Sequence, residues 1–495
     1  IRRRGAEAIA GMPRPSGFAS IQRLTLTGLA VALAYAIAAK SGGHVGAGVE
    51  EVAVVGSPAG VAIAALLLGG RALWPAIWLA AVGVTVGAAP WWTGIGAATA
   101  HTIAALLAAV VLPRLRGFDL SFRRVKDVAA FIVLGALAST AAGAAVGVAG
   151  LSVAGVRPPG GWPSVWLDWW AGDALGALVV APAILTFARI ARAWPQRNWI
   201  ETAAFVAAAT VLTLPAVGAS SVPFVGRPPV GYLVFIVVII AAVRLGQPAT
   251  ALVVLAATGI ANRSAADGAW SFTAPPVHES FGSLPLFTGL VAATGLLVAA
   301  AIAERRISER RRAAAYAASE VLSSAGDITQ AGPAILRAIC EHLEWQMGGM
   351  WLVDQGAQRL RCIATWTANP DATRAFTVAT TEASFSPGVG LPGRVWAAGR
   401  PGWIEDVRHD PNFPRAAAAA SAHVRGAFAF PICLEEETLG VIECFTYRIT
   451  APDADLLRTM STVGNQIGQF IARKRGEAAL VAGQKRTGAI LDSAL

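Results

Sequence analysis

The chain carries two kinds of hydrophobic pattern that meet near residue 304. Before it, apolar runs recur at 21–39, 52–69, 73–88, 94–112, 128–150, 165–188, 200–217, 230–243, 247–262 and 284–303. Several fall short of the roughly 20 residues that a full crossing of hydrocarbon takes, so the pattern predicts a polytopic α-helical membrane bundle of about 8–10 spans. The last run has no helix breaker after Gly295, and its register continues from Leu296 through Ala303 into Glu304, Arg305, Arg306, Glu309, Arg310, Arg311 and Arg312. One helix leaving a bilayer fits this: a chain in hydrocarbon must satisfy its own backbone hydrogen bonds, and an arginine block marks the side of the anionic leaflet.

After this helix the periods become mixed. A break is expected at Ser323, Ser324, Ala325, Gly326 and Asp327, then a helix with Pro333 at its first position and Ile335, Leu336, Ile339 and Leu343 on one face. Strand-like runs follow at 347–353, 360–366, 402–405, 426–432 and 439–445, with a short helix at 391–398 and a closing helix from 453 to about 477. An α+β sheet domain is predicted, large enough to bury its own core. In the closing helix Met460, Val463, Ile467, Phe470, Lys474, Glu477 and Val481 repeat at three and four residues. That spacing fits a two-stranded seam, or the helix packing on its own sheet.

Composition sharpens the division. Of 495 residues, 55% are hydrophobic and 14% charged, far too apolar for an ordinary soluble protein. Residues 1–303 hold 19 Lys and Arg against 10 Asp and Glu, and residues 304–495 hold 21 against 20, so the net charge of +10 belongs to the membrane half. Basic loops rather than a nucleic-acid surface account for it. With the N-terminus cytoplasmic, twenty Lys and Arg fall on inside segments and only four, Lys40, Arg157, Arg227 and Arg263, on outside ones. This bias puts the C-terminal half in the cytoplasm. Cys340, Cys362, Cys433 and Cys444 show no C-x-x-C spacing and fit a reducing compartment. Cys362 with Cys444 could form a redox or metal pair, but without a second ligand cluster inert thiols are the expectation.

Three places in the membrane half are chemically unusual. Asp168 and Asp173 lie in VWLDWWAGDALGALVV. A carboxylate at membrane depth normally faces a partner or water, so Asp173 reads as a ligand, cation or proton site walled by Trp166, Trp169 and Trp170, whereas Asp168 could lie at a wet helix end. Gly56, Ser57, Pro58, Ala59 and Gly60, after Glu50 and Glu51, suggest a broken or kinked helix. His101, alone among Ala and Thr, reads as hydrogen-bonded packing.

The order of these pieces resembles a known family. Ser57 to Gly60, then Arg71, Trp74 and Pro75, then Trp169-Trp170-Ala171-Gly172-Asp173-Ala174-Leu175-Gly176, then Val243 to Gln247, and finally Ala303-Glu304-Arg305-Arg306 resemble MASE1, an integral-membrane sensory domain of bacterial signalling proteins. Where that family often has Trp-Pro ahead of its Pro-x-Gly, this chain has Gly56-Ser57. The resemblance implies a receptor, with Trp169, Trp170, Asp173, Pro58 and Gly60 as candidate ligand-binding residues. The second half, with Gly388 to Trp396, Gly402 to Val407, Asp410 to Arg415, Phe428 to Ile432 and Leu439 to Glu443, resembles a GAF domain. That implies a six-stranded antiparallel sheet, a pocket between sheet and loops, and often dimerisation. Candidate pocket residues are Trp351, Cys362, Trp366, Trp396, Asp406 and Phe430, which can equally be core packing. The N-K-x-x-F-D-E and P-A-S-D-I-P signatures are absent, which disfavours a cyclic nucleotide and a bilin.

No catalytic constellation is present: no phosphate-cradling loop, no H-E-x-x-H, no nucleophile elbow, no phosphoacceptor histidine box and no G-G-D-E-F. No catalytic or metal-ligating residue is assigned, and the cofactor is unknown. The expected layout is a cytoplasmic segment at 1–20, a MASE1-like domain at 21–306, a connecting helix at 307–325, a GAF domain at 326–475, and a signalling helix at 476–495 that resembles the start of a PAS domain. The expected function is the sensory front of a plasma-membrane receptor, with both termini cytoplasmic. Its output, beyond Leu495, would be a histidine kinase, with a diguanylate cyclase second; the alternative to a receptor is a transporter with a regulatory GAF domain. Expected partners are the lipid bilayer, an unidentified small ligand, a second copy in a homodimer, and a response regulator if the output is a kinase. Nucleic acid is not among them.

Overall fold

The computed structural model describes residues 17–41, 44–45, 52–53, 57–85, 91–115, 117–153, 155, 161–190, 196–213, 233–266 and 283–494. Arg2, Arg3, Arg4, Arg14, Glu50, Glu51, Gly56, Arg157, Arg192 and Arg227 lie outside them, as does the side chain of Arg263. The chain divides into two compact units, residues 1–305 and 306–495.

Among the described residues the first unit is helical, apart from two-residue strands β1 (His44–Val45) and β2 (Val52–Ala53). Its helices are α1 (Gly17–Ser41), α2 (Ser57–Gly69), α3 (Trp74–Thr85), α4 (Trp91–Val111), α5 (Val125–Val153), α6 (Trp162–Ile190), α7 (Gln196–Thr213), α8 (Leu233–Leu245), α9 (Gln247–Ala266) and α10 (Ser283–Ser324). Each falls on one of the ten apolar runs. Among the described residues four contain a stretch long and apolar enough to cross a membrane, and the others are shorter apolar helices. Their outer faces are apolar too: Leu26, Leu29, Leu33 and Ile37 form a stripe along α1, each 61–68% exposed. Such a surface suits lipid rather than water. Small residues let the backbones approach closely. A Cβ on Gly60 would collide with the Gly176 carbonyl oxygen on α6, and one on Gly143 would lie 2.8 Å from the Ala100 carbonyl oxygen on α4.

Two local features depart from the sequence reading. Pro58 does not kink a helix; it sits in the first turn of α2, where a missing N–H costs nothing. Within α5, Phe131–Ala138 is π-helical, an insertion that apolar periodicity does not announce.

The second unit is an antiparallel six-stranded sheet in the order β5-β4-β3-β8-β7-β6. The strands are β3 (Met347–Asp354), β4 (Arg359–Thr367), β5 (Ser384–Phe385), β6 (Gly402–Ile404), β7 (Gly426–Leu434) and β8 (Glu437–Thr446). Helices α11 (Ile328–Leu343) and α15 (Ala454–Ala494) cover one face. Helices α12 (Pro370–Thr381), α13 (Gly390–Ala398) and α14 (Ala416–Ser421), with their loops, cover the other. Each central strand therefore buries both sets of alternating residues: Phe428, Phe430 and Ile432 point to the helices, Ala427 and Ala429 to the loops. Helix α11 starts five residues before Pro333, at Ile328, because the Asp327 carboxylate accepts the Thr329 N–H at 3.0 Å and caps it. Met460, Val463, Ile467 and Phe470 are buried on the protein's own sheet, while Lys474 and Glu477 pair with each other at 2.9 Å in an exposed position. The Met460 to Phe470 repeat is thus core packing, and Val481 lies outside the described side chains.

Candidate functional site

In the membrane unit Asp173 is 3% exposed and reaches His101, whose Nε2 lies 3.3 Å from Oδ1. On the other side of the imidazole, Nδ1 is 2.6 Å from the Tyr35 hydroxyl. A carboxylate only accepts, so Nε2 carries a proton and donates to it; in the neutral ring Nδ1 then accepts the Tyr35 hydroxyl proton. The result is a directed relay from α1 through α4 to α6 that ends on Asp173 Oδ2, a buried oxygen with no partner among the described residues. The Trp169 ring stands edge-on to His101 at 6.3 Å and 74°. It is wedged against α5 at Gly147, where a Cβ would lie 2.5 Å from the ring. Trp166 and Trp170 stack at 5.3 Å, and their indole N–H groups donate to the carbonyls of Ala141 and Leu137 on α5, at 3.3 and 2.9 Å. Leu137 belongs to the π-helical stretch.

The sequence candidates therefore separate. Trp169 and Asp173 join the relay. Trp170 holds α6 to α5, Pro58 and Gly60 are buried where α2 crosses α6 one turn from Asp173, and Asp168 is exposed. Tyr35 and His101 were missed as site residues. A histidine in an apolar run of a chain that also carries an intramembrane carboxylate is a signal that could have singled out His101, whereas nothing in the sequence marks Tyr35.

In the second unit the loop-side face of the sheet holds a charged centre. Glu443, 0% exposed, accepts from Trp351 Nε1 at 3.0 Å and from Arg415 Nη2 at 2.7 Å. Arg415, also buried, donates through Nη1 to the Thr380 hydroxyl at 2.8 Å. Its guanidinium carbon is 5.2–5.4 Å from the ring centres of Trp351, Phe376, Phe385, Phe413 and Phe445. Cys362 borders this centre: burial, then the Glu443 charge, push its thiol up to about 11, with Arg415 opposing.

The other candidates lie elsewhere. In β4 the register slips opposite Met350 and Trp351, so Ala364 faces Met350, Cys362 faces Trp351, and Ile363 is the extra residue. This bulge puts Cys362 on the loop side and Trp366 on the helix side, although an even spacing would leave them on one face. Phe430 is also on the helix side. Trp396 lines a separate shallow cleft of about 420 Å³ with Gln355, Gln358 and Glu437. Asp406 organises the loop after β6, accepting from the Arg408 backbone and guanidinium, with His409 and Arg425 at 3.3 and 3.7 Å. Hydrogen bonds from Arg408 hold its carboxyl well below the usual carboxylate range. The thiol next to Cys444 is that of Cys340, at 3.8 Å, and burial pushes Cys444 far up. All four cysteines are free, and among the described residues no group of three metal-ligating side chains occurs.

Comparison with known proteins gives two family matches, MASE1 over residues 27–306 and a GAF domain over residues 325–472. No curated protein matches the chain. Among solved structures, the A. aeolicus nlh2 GAF domain in an inactive state is 17% identical, with a TM-score of 0.29 over 34% of this chain and 99% of its own. A free methionine-R-sulfoxide reductase from Neisseria meningitidis in complex with its substrate is 16% identical, with a TM-score of 0.29 over 35% of this chain and 93% of its own. The GAF domain of a phosphoenolpyruvate-protein phosphotransferase from Coxiella burnetii is 17% identical, with a TM-score of 0.31 over 35% of this chain and 98% of its own.

Proposed function

The chain belongs to the MASE1 family, and on that premise we propose that its membrane unit reads a signal at the Tyr35–His101–Asp173 relay and passes it through α10 toward the GAF domain. It is a multi-pass membrane protein that joins a membrane signalling sensor to a GAF domain. The single observation behind the reading is the buried Asp173 Oδ2, which has no partner among the described residues. A buried carboxylate oxygen without a donor is costly, so the relay is one positive charge short. A proton or a small cation supplies it, and the two packings of the bundle, with and without that charge, differ in stability. Charged and titratable neighbours are few. Tyr35 and His101 are in the relay and Asp168 is exposed on α6, while α2 and residues 131–153 carry no charged residue.

The positive-inside bias supports cytoplasmic termini, and so a GAF domain, connecting helix and signalling helix inside the cell. By family analogy the receiver is a histidine kinase acting on a response regulator, with a diguanylate cyclase as the alternative. A homodimer and a small GAF ligand belong to the same proposal.

Infrared difference spectroscopy on the full chain in lipid nanodiscs tests the input site. In the wild type, acidification brings up a protonated-carboxyl band that Asp173→Asn lacks; if a cation is the signal, the carboxylate bands shift instead when salt is added at constant pH. Identical wild-type and Asp173→Asn spectra in both arms rule Asp173 out as the input.

A further inference from the structure

The loop-side centre of the GAF domain, independent of the membrane relay, carries one more step. We infer that Arg415 is a ligand built into the chain: the cavity is a receptor for a planar organic cation of the guanidinium class, and Arg415 fills it from its own loop.

The walls select that chemistry. Five aromatic rings turn toward one point 5.2–5.4 Å from each centre, the arrangement that attracts a desolvated cation. Glu443 supplies the counter-charge at 2.7 Å and Thr380 a neutral acceptor at 2.8 Å, so two edges of a flat cation are read. Packing alone does not call for this. A side chain of similar volume without charge would fill the box while avoiding the desolvation of two buried ions. The fit is also incomplete, because Arg415 Nε is buried with no partner among the described residues. A free guanidinium can turn in the box, whereas Arg415 is held by its backbone. The loop before it is fastened from outside the box, with Arg394 Nη2 donating to Asp410 at 2.7 Å and Asn412 bonded to Gly390 N and Gly388 O, both at 2.9 Å. Withdrawal of Arg415 therefore need not unfold the loop.

A free cation of this class competes with a tethered one, so the wild type needs roughly tenfold or more higher concentration than a variant with the box empty. The probe is methylguanidinium, with neutral methylurea as control, and the readout is thermal unfolding of the GAF domain in the full chain. Arg415→Ala is expected to rise saturably in Tm with methylguanidinium at concentrations that leave the wild type unchanged. Methylurea has no such effect, and Arg415→Ala/Glu443→Gln loses the response. A folded Arg415→Ala with no saturable rise, or an equal rise with methylurea, overturns the inference. Should Arg415→Ala fold poorly, recovery of folded protein on expression with methylguanidinium supports it, and failure to recover overturns it.

Discussion

Glu443 and Arg415 form the kind of contact that is costly to break on one side only. Removing one member of a buried ion pair leaves an uncompensated charge and typically costs about 3–5 kcal/mol. Glu443→Ala should lower the stability of the GAF domain by that amount in urea unfolding. Trp351→Phe, which keeps the ring but leaves Glu443 Oε1 without its 3.0 Å donor, should cost about 1–3 kcal/mol. Two titrations follow from the same neighbourhood. The Cys362 thiol, raised from 9.0 to about 11, is protonated at neutral pH. Its contribution to stability is complete below pH 9.0 and lost as pH rises through about 11, and alkylation of the folded protein at this site should accelerate only in that range. Asp406 behaves oppositely: its stabilisation is complete above its ordinary value of 3.8 and lost as acid reaches the lowered one. Glu443 was legible in principle, since it alternates with Val441 and Phe445 along a strand whose face is core. Its partner was not, because Arg415 arrives from a loop 28 residues away in sequence. Asp173 was legible as a carboxylate in an apolar run. Tyr35 and His101 were not legible as its partners, because only the packing of three helices brings them together.

Helix packing here depends on a few glycines whose backbone touches another backbone. A Cβ on Gly464 or Gly468 of α15 would run into the carbonyl oxygens of Pro431 and Cys433 on β7. Gly468→Ala should therefore lift α15 from the sheet, lowering GAF stability by about 1–3 kcal/mol and raising amide exchange along α15. Little change in either would mean that α15 has slack that these contacts hide. The repeating positions on this helix were visible in the sequence, but periodicity does not say what an apolar face meets. The bulge in β4 had the same effect on Cys362 and Trp366. One extra residue reverses the faces without altering composition or spacing.

Over the whole molecule, the ten apolar runs and the α+β pattern were legible because burial imposes periods of 3.6 and 2 on any sequence. Several of the helices are shorter than about 20 residues, so length alone leaves the number of crossings open, and the uneven distribution of Lys and Arg is what predicts an orientation. In the proposed function the GAF domain receives the membrane signal on the cytoplasmic side. The most direct test is the side of the membrane reached by a cysteine placed at the exposed Arg374 on α12. With a membrane-impermeant maleimide, Arg374→Cys should label above the wild-type background only after the cells are permeabilised. Labelling of the same cysteine in intact cells would put the GAF domain outside and contradict the account.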